Sequence, residues 1–229
     1  MNLIRHIPNT LTSGNLLCGC LGLISVFGNY PVEPAYFIWA ACIFDFFDGF
    51  SARLLKVSSP IGKELDSLAD MVSFGVLPAM AMYQWLDSSS SASWHSYIAL
   101  MIAVFSALRL AKFNVDTRQT DTFIGVPTPA NAIFLTSLVF LPESLRGVIF
   151  KTPVLTGITI VFSLLLVAPF ELFALKFKDF SWANNQIRFT FLALSVLLLI
   201  ILKAGALPII ILLYIIISLW SRILVGKKN

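Results

Sequence analysis

From Ala206 to Trp220 the chain reads ALPIIILLYIIISLW, with no charged residue. Runs of this kind recur from one end of the sequence to the other, and they limit the fold more than any other feature. An apolar run of about 20 residues crosses the hydrocarbon core of a bilayer as a helix. Within lipid, a helix or a closed barrel is needed to satisfy every backbone N–H and C=O. Taken as spans, the runs cover roughly 10–29, 34–55, 64–86, 94–114, 127–142, 153–175, 187–203 and 206–224. The fifth is short and opens with Pro127 and Pro129, so its limits are the least defined. The expected fold is an all-α integral membrane protein of about eight transmembrane helices, one membrane domain over 1–229.

Composition agrees. Of 229 residues, 58% are hydrophobic and 12% charged, and the mean hydropathy is +0.86. A soluble domain carries about one quarter charged residues, so this chain lacks the polar material to cover a water-facing surface. The N-terminal run lacks a small-x-small cleavage site followed by polar sequence and reads as a retained first span. Cys18, Cys20 and Cys42 all sit in apolar runs, which argues against a disulfide framework.

Lys and Arg set the orientation. With an even number of spans both termini share a side. If that side is the cytoplasm, all but three of the 16 Lys and Arg fall there, the exceptions being Arg146, Lys151 and Lys203. The net charge of +4 is then a topology signal. The basic residues are spread among loops instead of gathered in one patch, which argues against nucleic-acid binding.

Against this background the stretch 45–70, DFFDGFSARLLKVSSPIGKELDSLAD, stands out. Asp45 and Asp48 are three apart near the end of the second span, and Asp66 and Asp70 are four apart near the start of the third. Each spacing puts a pair on one helix face, and the short connection makes the two helix ends neighbours. A cap or an interfacial charge accounts for one such Asp, not for four. Clustered carboxylates at membrane depth are either partly protonated or held by cations. Oxygen-only donors without His or Cys suit hard divalent ions, Mg2+ or Mn2+, and two ions would balance the charge and leave positions for phosphate oxygens. Gly49, Ala52 and Gly62 let a backbone or a flat ligand approach closely. Arg53 and Lys63 can reach phosphate oxygens from the loop side.

The stretch spells D-x2-D-G-x2-A-R-x8-G-x3-D-x3-D, which resembles the signature of the CDP-alcohol phosphatidyltransferases. The resemblance implies a six-helix catalytic core over about 10–175, with two further helices at about 187–224. It implies that Asp45, Asp48 and Asp66 ligate the metals, and that Asp70 faces the metals and is the general base. It implies that Gly49, Ala52 and Gly62 make room for the cytidine nucleotide, while Arg53 supports the phosphates or pairs with a carboxylate. The reaction implied is attack of an alcohol on the β-phosphorus of a CDP-linked lipid with loss of CMP. A homodimer in the cytoplasmic membrane is implied as well. PNTLTSGNLLCG, 8–19, also resembles the family. Its Thr12 and Asn15 share a helix face, either as contacts to the nucleotide or as interhelical hydrogen bonds.

The acceptor is read from 106–132. RLAKFN and, further on, GVPTPANA are similar to the branch of the family that uses CDP-diacylglycerol and L-serine. Arg109 is expected to bind serine's carboxylate and Asn114 its polar groups, with Lys112 and Arg118 at the lipid phosphate or headgroup surface; simple positive-inside placement is the alternative for all three cations. Rival expectations are another acceptor, such as glycerol 3-phosphate or inositol phosphate, and, in a different class, a cation transporter or a scaffold.

Overall fold

The computed structural model describes residues 6–28, 31–57, 59–89, 93–115, 122–173 and 181–226. Among them are α1 (Ile7–Phe27), α2 (Pro34–Leu55), α3 (Pro60–Asp70), α4 (Leu77–Ser89), α5 (Leu100–Val115), α6 (Thr128–Thr136), α7 (Glu143–Ile149), α8 (Thr152–Leu165), α9 (Trp182–Leu202) and α10 (Ala206–Gly226). Among these, α1, α2, α3, α6 and α8 carry proline at the very start of the helix. The first amides of a helix have no intrahelical acceptor, so proline loses nothing there and its fixed φ starts the turn. Many of the chain's 11 prolines are thus helix starts.

The molecule is apolar on the outside. Leu17, Phe27, Phe46, Leu54, Ile200 and Ile201 are all more than half exposed, as lipid-facing side chains are. The interior is built from small residues and close backbone approaches. A Cβ on Gly19 would lie 2.5 Å from the Ser73 hydroxyl, and one on Gly22 would strike the Leu77 side chain. Packing through small residues replaces the hydrophobic drive that lipid does not supply. Residues α1, α2, Pro60–Ser88 and Trp94–Val115 are each long and apolar enough to cross a membrane. Pro60–Ser88 is not uniform, because Met71–Val76 is π-helical immediately after Asp70. Such bulges concentrate at functional sites.

Asn185–Trp220 is also long and apolar, but it is not one rod. Lys203 breaks it at φ 50, ψ −131. The Phe191 and Tyr214 rings lie 5.8 Å apart, whereas that sequence separation would span roughly 35 Å in a straight helix. α9 and α10 therefore fold back as a hairpin, matching the two last expected spans.

Two expected spans differ. The 127–142 run is α6 and a 3-10 turn at Ser137–Phe140, bent by 118° into α7. Leu141 is extended at ψ 152 because Pro142 follows it. The 153–175 run is helical only to Leu165. It then turns ahead of Pro169 into strand β2 (Glu171–Phe173), which pairs antiparallel with β1 (Thr122–Ile124). Gly125, at φ +71, donates to the Phe170 carbonyl at 2.8 Å and ties this ladder to the start of α6. The three cysteines are free, and Cys20 faces outward.

Candidate active site

The connection from α2 to α3 brings the carboxylates together. α2 ends on Lys56 in the left-handed region at φ 52, and the Val57 amide reaches back to the Ala52 carbonyl at 3.0 Å. Ser59 then caps α3, its hydroxyl accepting from the Gly62 amide at 2.9 Å. The turn sets the end of α2 beside the start of α3. On α2 the lipid side is Phe46, Phe47 and Phe50, and Asp48 is buried on the other.

Asp45, Asp48 and Asp66 offer carboxylate oxygens within 4.8 Å of one another. Thr12 on α1 donates to Asp48 at 2.7 Å and also to the Pro8 carbonyl at 3.0 Å. Asp66 keeps one oxygen, Oδ1, buried without a hydrogen-bond partner. Like charges this close in a half-buried site need a counter-charge, and an unpartnered buried carboxylate oxygen is an open ligand position. The donor set is all oxygen, so it fits a hard divalent cation.

Asp70 stands outside that group of three. It accepts a 3.0 Å hydrogen bond from Asn15 Nδ2 and lies within electrostatic reach of Asp45 and Asp66. Asn15 is fixed in turn, its carbonyl accepting from the fully buried Ser73 at 2.9 Å. Thr12 and Asn15 thus each hold one aspartate, which is the interhelical role left open by the sequence.

A cavity of about 660 Å3 opens beside the carboxylates, lined in part by Thr12, Asp48, Gly49, Ala52, Gly62, Lys63 and Asp66. A Cβ on Gly49 would meet only the Arg53 guanidinium, at 3.6 Å. Protein packing therefore does not require glycine there, and its smallness leaves room in the cavity. Gly62 is tighter, since a Cβ would lie 3.0 Å from Asn9 Oδ1 and Ser59 Oγ. Asn9 also lines the cavity and was not among the expected site residues. Its signal was present, because Asn9, Thr12 and Asn15 step by three along one helix face.

The residues expected at the acceptor separate. Arg109 is buried, 7% exposed, with its Nε unpartnered. It lies within electrostatic reach of Asp70 and Tyr214, 5.9 Å from the Phe113 ring centroid. Asn114 is engaged elsewhere. Its side-chain amide donates to Ser67 Oγ at 2.8 Å, and its backbone carbonyl accepts from Lys63 Nζ at 2.9 Å. Lys63 therefore lines the cavity while bonded to α5, and Asn114 locks α5 to α3. Lys112 is exposed, and Arg118 lies outside the described residues.

Comparison with known proteins agrees with this geometry. Residues 5–169 match the family of the CDP-alcohol phosphatidyltransferases. The chain is 37% identical over 137 residues to the CDP-diacylglycerol–serine O-phosphatidyltransferase of Bacillus subtilis, covering 60% of this chain and 77% of that one. It is 34% identical over 143 residues to the enzyme of the same name from Helicobacter pylori J99, covering 62% and 60%. The Mycobacterium leprae enzyme of that name is 34% identical over 145 residues, covering 60% and 48%. With the match running across the carboxylates, the cavity and Arg109, the chain belongs to the CDP-alcohol phosphatidyltransferase family.

Proposed function

We propose that the protein transfers a phosphatidyl group from CDP-diacylglycerol to L-serine, giving phosphatidylserine and CMP. The observation that carries this reading is the convergence of Asp45, Asp48 and Asp66 at one cavity, with Asp70 held apart on Asn15. Asp45, Asp48 and Asp66 hold the divalent ions, Mg2+ or Mn2+. When bound, these neutralise the diphosphate of the CDP-lipid and the negative charge gathering on the leaving phosphate. Gly49, Ala52 and Gly62 accommodate the nucleotide, and Arg53 pairs with phosphate oxygens. Asp70 takes the proton of serine's hydroxyl as that oxygen bonds to the β-phosphorus and the bond to the CMP oxygen breaks. Asn15 keeps that carboxylate aimed.

Arg109 binds the acceptor's carboxylate. It is the sole cation among the buried side chains of the described residues, which suits one carboxylate better than the double charge of a phosphorylated alcohol. Residues 10–175 form the catalytic core and 187–224 an addition to it. The site and both termini face the cytoplasm of a cell membrane, where serine and CMP exchange with water, and the enzyme works as a homodimer among membrane lipids. The test is product analysis with purified protein, CDP-diacylglycerol, Mg2+ or Mn2+, and serine, glycerol 3-phosphate or inositol phosphate in parallel. Phosphatidylserine with release of CMP is expected; product only with a phosphorylated acceptor overturns the reading.

A further inference from the structure

The cavity beside the carboxylates has two ends. At one, Thr12, Asp48 and Asp66 line it around the group of three aspartates. The other lies at the turn from α2 to α3, where Lys56 and Ser59 line it. Asp48, Gly49, Ala52 and Lys56 share one face of α2 and its cap, so that face runs from one end of the cavity to the other. Eight residues separate Asp48 from Lys56, which is about 12 Å of helix.

Lys56 is an uncommon residue for its place. It follows the last turn of α2 at φ 52, ψ 40, in the left-handed region. Glycine or asparagine takes such a cap readily, whereas a residue with a long side chain is disfavoured there. The helix end does not call for its charge, because Arg53 already stands in the last turn of α2. Among the described residues the Lys56 side chain has no hydrogen-bond or ion-pair partner. The other cation lining the cavity, Lys63, has its Nζ on the backbone carbonyl of Asn114 at 2.9 Å. A disfavoured backbone kept beside a ligand cavity points to a use for the side chain.

We propose that Lys56 binds the phosphate of the nucleotide from the turn end of the cavity, opposite the carboxylates, and so holds both the CDP-linked substrate and the CMP that leaves. A diphosphate seated at the carboxylate end and a lysine stem reaching back from the turn cover the distance between them. An ammonium is a strong partner for phosphate oxygens, and its flexible stem follows the phosphate as diphosphate becomes leaving monophosphate. The inference rests on the part of the proposed function that puts a CDP nucleotide in this cavity, and it is independent of the acceptor.

The experiment is calorimetric titration of the purified full chain with CMP and Mg2+ in an uncharged detergent, so that no lipid phosphate competes. Wild type is compared with Lys56→Gly, Lys56→Gln and Lys56→Arg, with melting temperatures alongside. Lys56→Gly suits the backbone, so its melting temperature should be equal or higher, while CMP affinity falls roughly fivefold to tenfold. Lys56→Gln should lose as much affinity, and Lys56→Arg should stay within about twofold of wild type. The gap between wild type and Lys56→Gly should narrow as salt is raised. Unchanged CMP affinity in Lys56→Gly and Lys56→Gln overturns the inference. So does an affinity loss that Lys56→Arg shares in full, or one that comes with a lowered melting temperature, which marks a structural role at the helix end. Should Lys56→Gly not fold, the other two variants decide by the same criteria. Wild-type protein that binds no CMP removes the nucleotide reading of the cavity and this inference with it. Wild-type protein that binds CMP yet makes no phosphatidylserine removes only the proposed acceptor and leaves the role of Lys56 standing.

Discussion

The two ends of the sequence use the same apolar alphabet for opposite purposes. From Asp45 in α2 to the end of α3, polar or small residues recur: Asp45, Asp48, Gly49, Ala52, Gly62, Asp66, Asp70. In the α9–α10 hairpin the described residues are apolar over most of their length, and its contacts with the rest include packing on α6, the Tyr214 hydroxyl donating to the Phe173 carbonyl at 2.8 Å, and a ring cluster of Phe173, Phe191 and Tyr214. A membrane protein keeps polar groups in the bundle only where they are needed. The first region spends stability on chemistry, and the second is packing. Substitutions should therefore separate the regions by what they change, activity in one and stability in the other.

The largest effect is expected at Asp70. Asp70→Asn keeps the shape and the Asn15 contact through its remaining carbonyl oxygen but cannot accept a proton. Turnover should fall by roughly 10²–10⁴-fold, with CDP-diacylglycerol binding nearly unchanged. Loss of nucleotide-lipid binding in step with turnover would place Asp70 among the metal ligands instead. Asp45→Ala should also abolish activity, and its stability effect should change sign with metal. In chelator it relieves repulsion among carboxylates within 4.8 Å of one another and raises stability by on the order of 1 kcal/mol. With Mg2+ the wild type gains from ligand binding and the variant does not. A variant of unchanged stability in both conditions would mean that the three carboxylates hold no cation.

How much of this was legible follows from what each residue answers to. The four aspartates could be placed from sequence because helical spacing fixes which side chains share a face, and a carboxylate in lipid is conspicuous. Asn9, which lines the cavity, was not, since a lone neutral polar residue in an apolar run looks the same whether it serves a neighbouring helix or a ligand. The contacts of Asn114 were hidden for a related reason: Ser67, which its side chain meets, and Lys63, which meets its backbone carbonyl, lie far away in sequence, and only the fold brings them to it. The sixth span was too long because hydropathy averages across Pro169, which hardly lowers the mean yet stops a helix.

Two glycines, Gly19 on α1 and Gly49 on α2, sharpen the contrast on a smaller scale. Gly19→Ala drives a Cβ to 2.5 Å from Ser73 Oγ and 3.0 Å from Ser73 Cα. Overpacking of that kind costs about 1–3 kcal/mol, and Ser73 also anchors Asn15, so stability and turnover should fall together. Gly49→Ala meets nothing closer than 3.6 Å and gains about 0.5–1 kcal/mol of helix preference. It should leave stability equal or higher while raising the KM for CDP-diacylglycerol several-fold. Equal loss of stability in both would show that Gly49 is there for packing and that the cavity is not occupied beside it.

The smallest effect is expected where the hairpin meets the core. Tyr214→Phe removes one hydroxyl and keeps the ring against Phe173 and Phe191. Losing the bond to the Phe173 carbonyl should cost about 1 kcal/mol of stability and leave both KM values unchanged, because the hairpin lies outside the residues 5–169 that match the family. Tyr214 nonetheless lies within electrostatic reach of Arg109, which makes this substitution the sharpest test of the division. A serine KM that rises without a change for CDP-diacylglycerol would mean that the phenol helps to hold the Arg109 guanidinium in place. The hairpin would then belong to the acceptor pocket, and the division between a chemical region and a packing region would run through α10 instead of before α9.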